Sequence, residues 1–349
     1  MRTDVTVIIL HPEAAPGDGP LTRVLAAARA ELAARHAWLA ERAGATSVRI
    51  VAGPPDAVSF GARLRGIVDR LGEGGLVILG SGAVPLATLA DHRRFIEAAA
   101  AATPLALANN RYSADIVAIA RAREALDGLP DLPADNALPR WLADVRGIPV
   151  SGLASRWRLG IDIDGPLDLV LLGGAWPDGL PAADRVAVED RLTRVRGAAA
   201  DAAAELVVAG RTSAPTLRWL ERSTASRTRA IVEERGLRTS TTGQRPPASL
   251  IGLLLERDGP SSLGSLLARL GDAAVVDSRV LLAHRLGADE RAWPSPEDRF
   301  ASDLLLPERI DDPWLRDVTA AAASAPIPIL LGGHTLVGPG LRLALRQHG

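Results

Sequence analysis

The sequence contains no cysteine, and all 40 of its basic residues other than histidine are arginines, so it also lacks lysine. The absence of cysteine excludes disulfides, thiolate nucleophiles and thiolate-bound metal ions. The absence of lysine excludes Schiff-base chemistry and the lysine of a phosphate-binding P-loop. The chemistry of this protein therefore depends on carboxylates, histidines, hydroxyls and arginines.

Net charge and long apolar runs are also scarce. The 349 residues carry a formal net charge of −1, which gives no overall field to attract nucleic acid or an acidic membrane. No apolar run approaches the roughly 18–20 residues that a membrane-spanning helix requires. The first ten residues run into strand-like sequence with a short apolar core, so we expect that they are not a secretory signal. With 47% hydrophobic and 23% charged residues, we expect a globular cytoplasmic protein.

Two aspartates at alternate positions are the most prominent feature of the sequence. Asp162 and Asp164 come just before Gly165 and Pro166. In a strand, residues two apart point to the same face, so the two carboxylates would lie side by side. We predict a strand that presents Asp162 and Asp164 as catalytic residues and as ligands of a metal ion or a ribose, because two like charges this close are costly unless a cation, a proton or hydrogen-bond donors lie between them. The alternative is that one of them caps a helix beginning near Pro166 and the other is solvated.

Strand-like and helix-like segments alternate through the first half of the chain. This alternation predicts an α/β fold, a three-layer α/β/α arrangement around a mainly parallel sheet. The predicted strands are Val5–Leu10, Ser47–Ala52, Gly75–Gly80, Pro104–Ala108, Ala114–Ala120 and the segment with Asp162 and Asp164. The predicted helices are Leu21–Ala43, Phe60–Leu71 and Leu89–Ala102. We assign residues 1–176 to this domain.

Residues 177–349 have a different pattern, which predicts a mostly helical C-terminal region with a few strands. Long helices are predicted over Ala182–Ala209 and Ala214–Arg235, and strands over Ala273–Ala283 and Ile327–Leu331. Gly236–Ala248 is polar and contains glycine and paired prolines, which is typical of a mobile loop or linker.

Polar residues follow several predicted strands, where doubly wound sheets bind ligands. Asn109, Asn110 and Arg111 could contact a base or hold a phosphate. The alternative is a tight turn that uses the tolerance of asparagine for left-handed backbone. His334, in a glycine-rich turn after the last predicted strand, and Asp277 are further candidates for an acid, a base or a ligand. The alternative is that His334 has a structural role. The sequence alone does not establish whether His334 and Asp277 meet in the folded protein.

Three segments together resemble a known family. The strand Leu76–Leu79, the Val-Pro-Leu that begins at Val84, and the segment Asp162–Leu169 resemble nucleotidyltransferases of the glycosyltransferase-A-like fold, such as the molybdenum-cofactor and 2-phospholactate guanylyl- and cytidylyltransferases. The resemblance covers residues 1–175. It implies a protein that binds a nucleotide or a nucleotide-sugar, with Mg²⁺ or Mn²⁺ at Asp162 and Asp164. Ser81, Gly82 and the Asn109–Arg111 loop would bind the nucleotide.

The chain departs from this family at two motifs. The family opens with a glycine-rich loop carrying arginine and lysine, whereas His11–Pro20 has no basic residue before Arg23. Ser81–Pro85 stands where the family has a metal-binding aspartate. Transfer from a triphosphate needs a divalent cation and positive charge near the leaving group. The alternative function is therefore a non-catalytic pseudoenzyme that acts through protein–protein contacts, for example as a homodimer.

Arginines are concentrated in one part of the C-terminal region, from Arg211 to Arg245. A further alternative is a phosphate or nucleic-acid binder that uses this region. Trp219 is the aromatic residue available there for stacking on bases, and a solvated helix face explains the arginines more simply. Nucleic acid is not an expected partner.

Overall fold

The computed structural model describes residues 3–54, 56, 58–153, 155–174, 180–234 and 246–346. The chain divides into two compact units. Unit 1 comprises Met1–Gly17 and Ala26–Ile163, and unit 2 comprises Asp18–Leu25 and Asp164–Gly349. In the described residues, no helix has both the length and the apolar character needed to cross a membrane.

Unit 1 is built on a six-stranded sheet with the order β2-β1-β3-β5-β4-β6. Strand β5 runs antiparallel to β3 and β4, and the other neighbouring strands are parallel. The strands are β1 (Val5–Pro12), β2 (Ser47–Gly53), β3 (Gly75–Gly80), β4 (Ala106–Ala108), β5 (Ile116–Ile119) and β6 (Val150–Gly152). The helices are α1 (Pro20–Ala43), α2 (Phe60–Val68), α3 (Leu89–Ala99), α4 (Ala122–Ala125) and α5 (Leu138–Asp144).

Apolar side chains fill both faces of this sheet. Val7 of β1 packs in a cluster with Phe95 of α3, whereas its neighbour Ile8 packs in a second cluster with Leu64 of α2 and Leu142 of α5. Because successive residues of a strand point to opposite faces, β1 contributes to both clusters and contains an almost continuous apolar run. The predicted three-layer α/β/α fold with a mainly parallel sheet is confirmed.

Unit 2 is built on a four-stranded sheet that is parallel throughout, with the order β8-β7-β9-β10. The strands are β7 (Glu205–Gly210), β8 (Arg227–Val232), β9 (Ala273–Asp277) and β10 (Ile329–Gly332). The helices are α6 (Pro166–Leu171), α7 (Ala182–Ala200), α8 (Ala214–Ser223), α9 (Leu250–Asp258), α10 (Leu263–Ala268), α11 (Ser278–Leu286), α12 (Pro296–Asp303), α13 (Pro313–Ala323), α14 (His334–Val337) and α15 (Leu341–Ala344).

Side chains of the second sheet are buried against several helices. Val207, Val276 and Leu331 pack with residues of α9, α10 and α13 in one apolar cluster. Helix α7 contacts β7, β9 and β10. Unit 2 is thus a second α/β layer structure within the mostly helical C-terminal region.

Both predicted long helices of the C-terminal region are wrong in their C-terminal parts. Ala182–Ala209 is helix α7 followed by strand β7, and the described part of Ala214–Arg235 is helix α8 followed by strand β8. The apolar run of β7 does not distinguish a buried parallel strand from a buried helix, and β8 is mostly exposed and contains no continuous apolar run that would mark a strand. The predicted linker Gly236–Ala248 lies largely outside the described residues.

Two predicted strands also need correction. Ala273–Ala283 is strand β9 followed by helix α11, because the Asp277 side chain accepts a hydrogen bond from the Arg279 N–H and caps the helix. The segment with Asp162 and Asp164 is not a strand: a 3₁₀ turn precedes it, and Asp162 forms only an isolated β-bridge with Ala83.

Candidate ligand site at the edge of the first sheet

A cavity of about 240 Å³ lies in unit 1, at the carboxyl ends of β1 and β3. The carboxyl edge of a parallel sheet is where open α/β folds place their ligands. Ser81 and Gly82, predicted to bind the nucleotide, and Asp162 all line this cavity. The lining comprises Leu10, Pro12, Arg29, Phe60, Ile78, Leu79, Gly80, Ser81, Gly82, Ala83, Ala114, Asp115, Val117, Asp135 and Asp162.

A second cavity of about 310 Å³ adjoins the first and shares Leu10 and Pro12 with it. His11 lines the second cavity, and its Nδ1 lies 3.1 Å from the hydroxyl of Ser81 in the wall of the first. Burial lowers the pKa of His11, which keeps the ring neutral near pH 7. The two cavities therefore have a neutral, hydrogen-bonded His–Ser pair in their common wall.

The loop after β3 is held by side chains from outside it. Val84 has φ +42°, a left-handed conformation that is unfavourable for a β-branched residue. Its neighbour Ala83 accepts a hydrogen bond from His36, and Arg35 donates to the carbonyls of Pro85 and Ala87. These contacts fix the backbone on one wall of the cavity.

Gly82 has no room for a side chain. A Cβ at this position would lie 2.9 Å from Nε of Arg29, and 3.0 Å from both the Asp162 Oδ1 and the Ile163 carbonyl oxygen. Arg29 also donates a 2.9 Å hydrogen bond to that carbonyl. The glycine thus allows α1, the loop after β3 and the Asp162 segment to meet at the cavity.

The two predicted metal ligands have different surroundings. Asp162 lies in unit 1 and lines the cavity, and its Oδ1 accepts a 2.8 Å hydrogen bond from the N–H of Ile163. Asp164 lies in unit 2, is not in the lining, and its N–H donates to Asp168. The alternation of a regular strand, on which their pairing was predicted, is absent.

The Asn109 side chain is buried and fully engaged by the protein. Its amide nitrogen donates to the Asp115 carboxylate and the Leu159 carbonyl, and its oxygen accepts from the N–H groups of Asp115 and Ile116. The predicted neighbours in the loop make local contacts: the Asn110 side chain accepts from the Tyr112 N–H, and Arg111 pairs with Asp144. The lining of the first cavity includes none of the three.

Three charged residues of the cavity lining were not predicted as site residues from the sequence: Arg29, Asp115 and Asp135. Asp115 immediately precedes β5, and because β5 is antiparallel its amino end lies at the same edge as the carboxyl ends of its neighbours. A polar residue before a strand becomes a site candidate only once the strand direction is known. Arg29 and Asp135 lie within a helix and a 3₁₀ turn and carry no local signal.

The described residues contain no group of three or more histidine, aspartate or glutamate side chains arranged to hold a metal ion. Asp162 has the oxygen ligands that Mg²⁺ prefers. The binding of a metal ion by Asp162 and Asp164 together stays a prediction.

The other predicted residues lie in unit 2. Asp277 ends β9 and pairs with Arg211 at 2.6 Å, and His334 is the first residue of α14, after β10. Elsewhere in the arginine-rich region, Arg229 of β8 pairs with Glu205. Since α8 and β8 are separate elements, the described arginines do not share one helix face. Arg235, Arg238 and Arg245 lie outside the described residues.

Comparison with solved structures finds a similarity to a protein of Desulfovibrio desulfuricans G20, provisionally described as a nucleotide-diphospho-sugar transferase. The identity is 14%, the match covers 43% of this chain and 80% of that chain, and the TM-score is 0.31. No protein-family model and no curated protein matches the chain. The function therefore has to be inferred from the geometry of the cavity.

Proposed function

We propose that unit 1 binds a nucleotide or a nucleotide-sugar in the cavity after β1 and β3, as a transferase-like protein with degenerate catalytic motifs. The observation that carries this proposal is the position of the cavity at the carboxyl edge of a mainly parallel sheet, lined by the loop Ser81–Ala83.

The lining offers complementary surfaces for a nucleoside. Phe60, Ile78 and Val117 provide apolar contact for a base, and Asp115 and Asp162 provide carboxylate oxygens for ribose hydroxyls. A volume of about 240 Å³ is just below the roughly 300–1,000 Å³ of typical ligand pockets. The nucleoside would occupy this cavity, and the adjoining one would accommodate the remainder of the ligand.

The charge of the lining determines how phosphates would bind. Among the described residues of the lining, Arg29 is the one basic side chain, against the three carboxylates of Asp115, Asp135 and Asp162. A bare phosphate chain would be repelled by this excess of carboxylates. We therefore expect the substrate to be the Mg²⁺ or Mn²⁺ complex of the nucleotide, in which the ion compensates the phosphate charge.

The test uses two glycines at which a Cβ would meet no atom within 4 Å: Gly80 in the cavity wall and Gly72 outside it. In wild-type protein, GTP, CTP or a UDP-sugar with Mg²⁺ should raise the melting temperature in a thermal-shift titration. Gly80→Leu fills the cavity and should abolish the shift, whereas the matched control Gly72→Leu should retain it.

Two results would reject the proposal: no shift with any nucleotide, or an equal shift in Gly80→Leu and Gly72→Leu. The first would favour the pseudoenzyme that acts through protein contacts. Chromatographic detection of pyrophosphate or nucleoside diphosphate in the same samples separates binding alone from turnover.

A further inference from the structure

The carboxyl edge of the second sheet also collects polar residues from neighbouring strands. Arg211 and Thr212 follow β7, Asp277 ends β9, and His334 follows β10. The chain adds β8 on one side of β7 and then crosses to add β9 on the other. Open α/β sheets bind ligands outside the carboxyl ends of the strands at such a switch point.

Arg211 and Asp277 form a doubly hydrogen-bonded ion pair across this switch point. The Nε–Oδ2 distance is 2.6 Å and the Nη2–Oδ1 distance is 3.0 Å. Burial opposes ionisation of Asp277, but Arg211 outweighs this effect and lowers the pKa of the carboxyl group. Gly210, with φ +129°, allows the close approach, since a Cβ there would lie 2.2 Å from the Cβ of Asp277. The guanidinium is thus held in a fixed position at the end of β7.

Helix α8 begins directly after this pair, and its first turn has no side-chain cap. Ser213 occupies the N-cap position, but its hydroxyl lies 3.1 Å from the hydroxyl of Thr216 and makes no capping bond. The helix runs from Ala214 to Ser223, so its aligned peptide dipoles favour negative charge at this end.

Thr212 provides an observation independent of the helix. The residue is 8% exposed, and its hydroxyl has no hydrogen-bond partner among the described residues. Native proteins pair nearly all buried polar groups, so an unpaired hydroxyl here calls for an explanation. A ligand oxygen hydrogen-bonded to Thr212 would supply the missing partner.

The same edge has an acidic side. Asp164 is exposed. Burial would lower the pKa of Arg211, but Asp277 and, to a smaller extent, Asp164 raise it. A Cβ at Gly333 would lie 3.8 Å from Oδ2 of Asp164, so the turn after β10 passes close to this carboxylate. A carboxylate accepts hydrogen bonds from sugar hydroxyls and repels a bare polyanion. A ligand with hydroxyl groups and a single anionic group matches both the basic and the acidic side of this edge.

We propose that this edge of unit 2 binds a phosphorylated sugar. The phosphoryl group lies at the start of α8, beside Arg211 and Thr212, and the sugar hydroxyls lie against Asp164. A free sugar phosphate and the ribose 5′-phosphate part of a nucleotide share this chemistry. The site is built from residues of unit 2 alone and does not depend on the function proposed for unit 1.

The experiment is calorimetric titration of the full chain with ribose 5-phosphate, ribose and AMP, in wild-type protein and in Gly80→Leu, whose unit 1 cavity is filled. Ribose 5-phosphate should bind equally well to both proteins. Ribose should bind at least about tenfold more weakly than ribose 5-phosphate, because it lacks the anionic group. If AMP binds to Gly80→Leu as well as ribose 5-phosphate does, the ligand is the nucleotide form. If AMP does not bind to this variant, the ligand is the free sugar phosphate.

Thr212→Val keeps the shape of the side chain and removes the hydroxyl. It should weaken ribose 5-phosphate binding roughly tenfold or more, as expected for a hydrogen bond to a charged group. Its melting temperature without ligand should not fall, because the hydroxyl has no partner to lose. The matched control is Ser226→Ala, which removes another buried hydroxyl that has no hydrogen-bond partner in the part of the chain that the structure describes. Ser226 lies just before β8, at the opposite end of the strands, so this variant should leave binding unchanged.

Three results would overturn the proposal. The first is that wild-type protein fails to bind ribose 5-phosphate. The second is that Thr212→Val binds it as tightly as wild type, and the third is that Gly80→Leu loses the binding. The last result would place the ligand in unit 1. Since nucleotide binding to unit 1 is tested separately with the two glycine variants, failure of one proposal is distinguishable from failure of the other.

Discussion

The imidazole Nε2 of His92 lies 3.1 Å from Nδ1 of His36, and both rings are buried. His36 Nε2 lies 2.8 Å from the carbonyl oxygen of Ala83. A carbonyl can only accept, so Nε2 of a neutral His36 carries the proton and Nδ1 accepts from His92. The two histidines thus form a directed chain of hydrogen bonds that ends on the loop lining the unit 1 cavity.

This histidine chain should make the protein sensitive to acid. Burial and the neighbouring ring lower the pKa of His36 to about 3, and burial together with Arg35 lowers the pKa of His92 to about 4. The unfolded chain takes up protons near pH 6.5, well before the folded protein does. The free energy of unfolding should therefore be fully retained above about pH 6.5 and fall steadily as the pH drops toward 4.

Urea unfolding at a series of pH values measures this dependence. The slope of the free energy of unfolding against pH, between about pH 4.5 and 6.5, should be positive in wild-type protein and smaller in His92→Gln, which removes one titrating ring. An unchanged slope in the variant would show that other groups cause the acid sensitivity.

Gly82 should not tolerate even a methyl group. In Gly82→Ala, the new Cβ would press on Arg29, Asp162 and the Ile163 carbonyl, all within about 3 Å. Overpacking of this kind typically costs about 1–3 kcal/mol. We expect a lower melting temperature and weaker nucleotide binding, because the three segments that form the cavity must separate.

Gly80→Ala is the control for this substitution. Gly80 lies in the same cavity wall, but a Cβ there would meet no atom within 4 Å. Calorimetric unfolding should give Gly80→Ala a melting temperature close to that of wild type. If Gly82→Ala is equally stable, the close approach at Gly82 does not constrain the loop.

Asn109 should contribute to stability and not to ligand specificity. In Asn109→Ala, the N–H groups of Asp115 and Ile116 and the Leu159 carbonyl lose their side-chain partner. Each buried group left unpaired costs about 1–3 kcal/mol, so chemical denaturation should show a loss of at least about 2 kcal/mol.

Asn110→Ala is the comparison, since its side chain accepts one hydrogen bond within an exposed turn. Its effect on denaturation should be much smaller. A stable Asn109→Ala variant with weakened nucleotide binding would instead support the interpretation, made from the sequence, that Asn109 contacts a base.

The helices and strands of unit 1 were well predicted where the spacing of apolar residues agreed with the positions of flanking glycine and proline residues. β3, predicted as Gly75–Gly80, has those exact bounds, and α1 begins one residue before the predicted helix and ends with it at Ala43. In unit 2, β7 and β8 were missed because each directly continues an Ala- and Leu-rich or Arg-rich helix without a glycine or proline between them. Local sequence could not show that β7 pairs with β8 on one side and with β9 on the other.

Composition and periodicity alone determined the chemical repertoire and the layered α/β class, since the lack of cysteine and lysine and the spacing of apolar residues are properties of the chain itself. Which polar residues meet was decided only by the tertiary structure. Asp115 reaches the cavity because β5 runs antiparallel to its neighbours, and Asp162 does not stand in a regular strand, since it forms an isolated β-bridge with Ala83. Strand direction and pairing arise from contacts between residues far apart in sequence, and no local pattern encodes them.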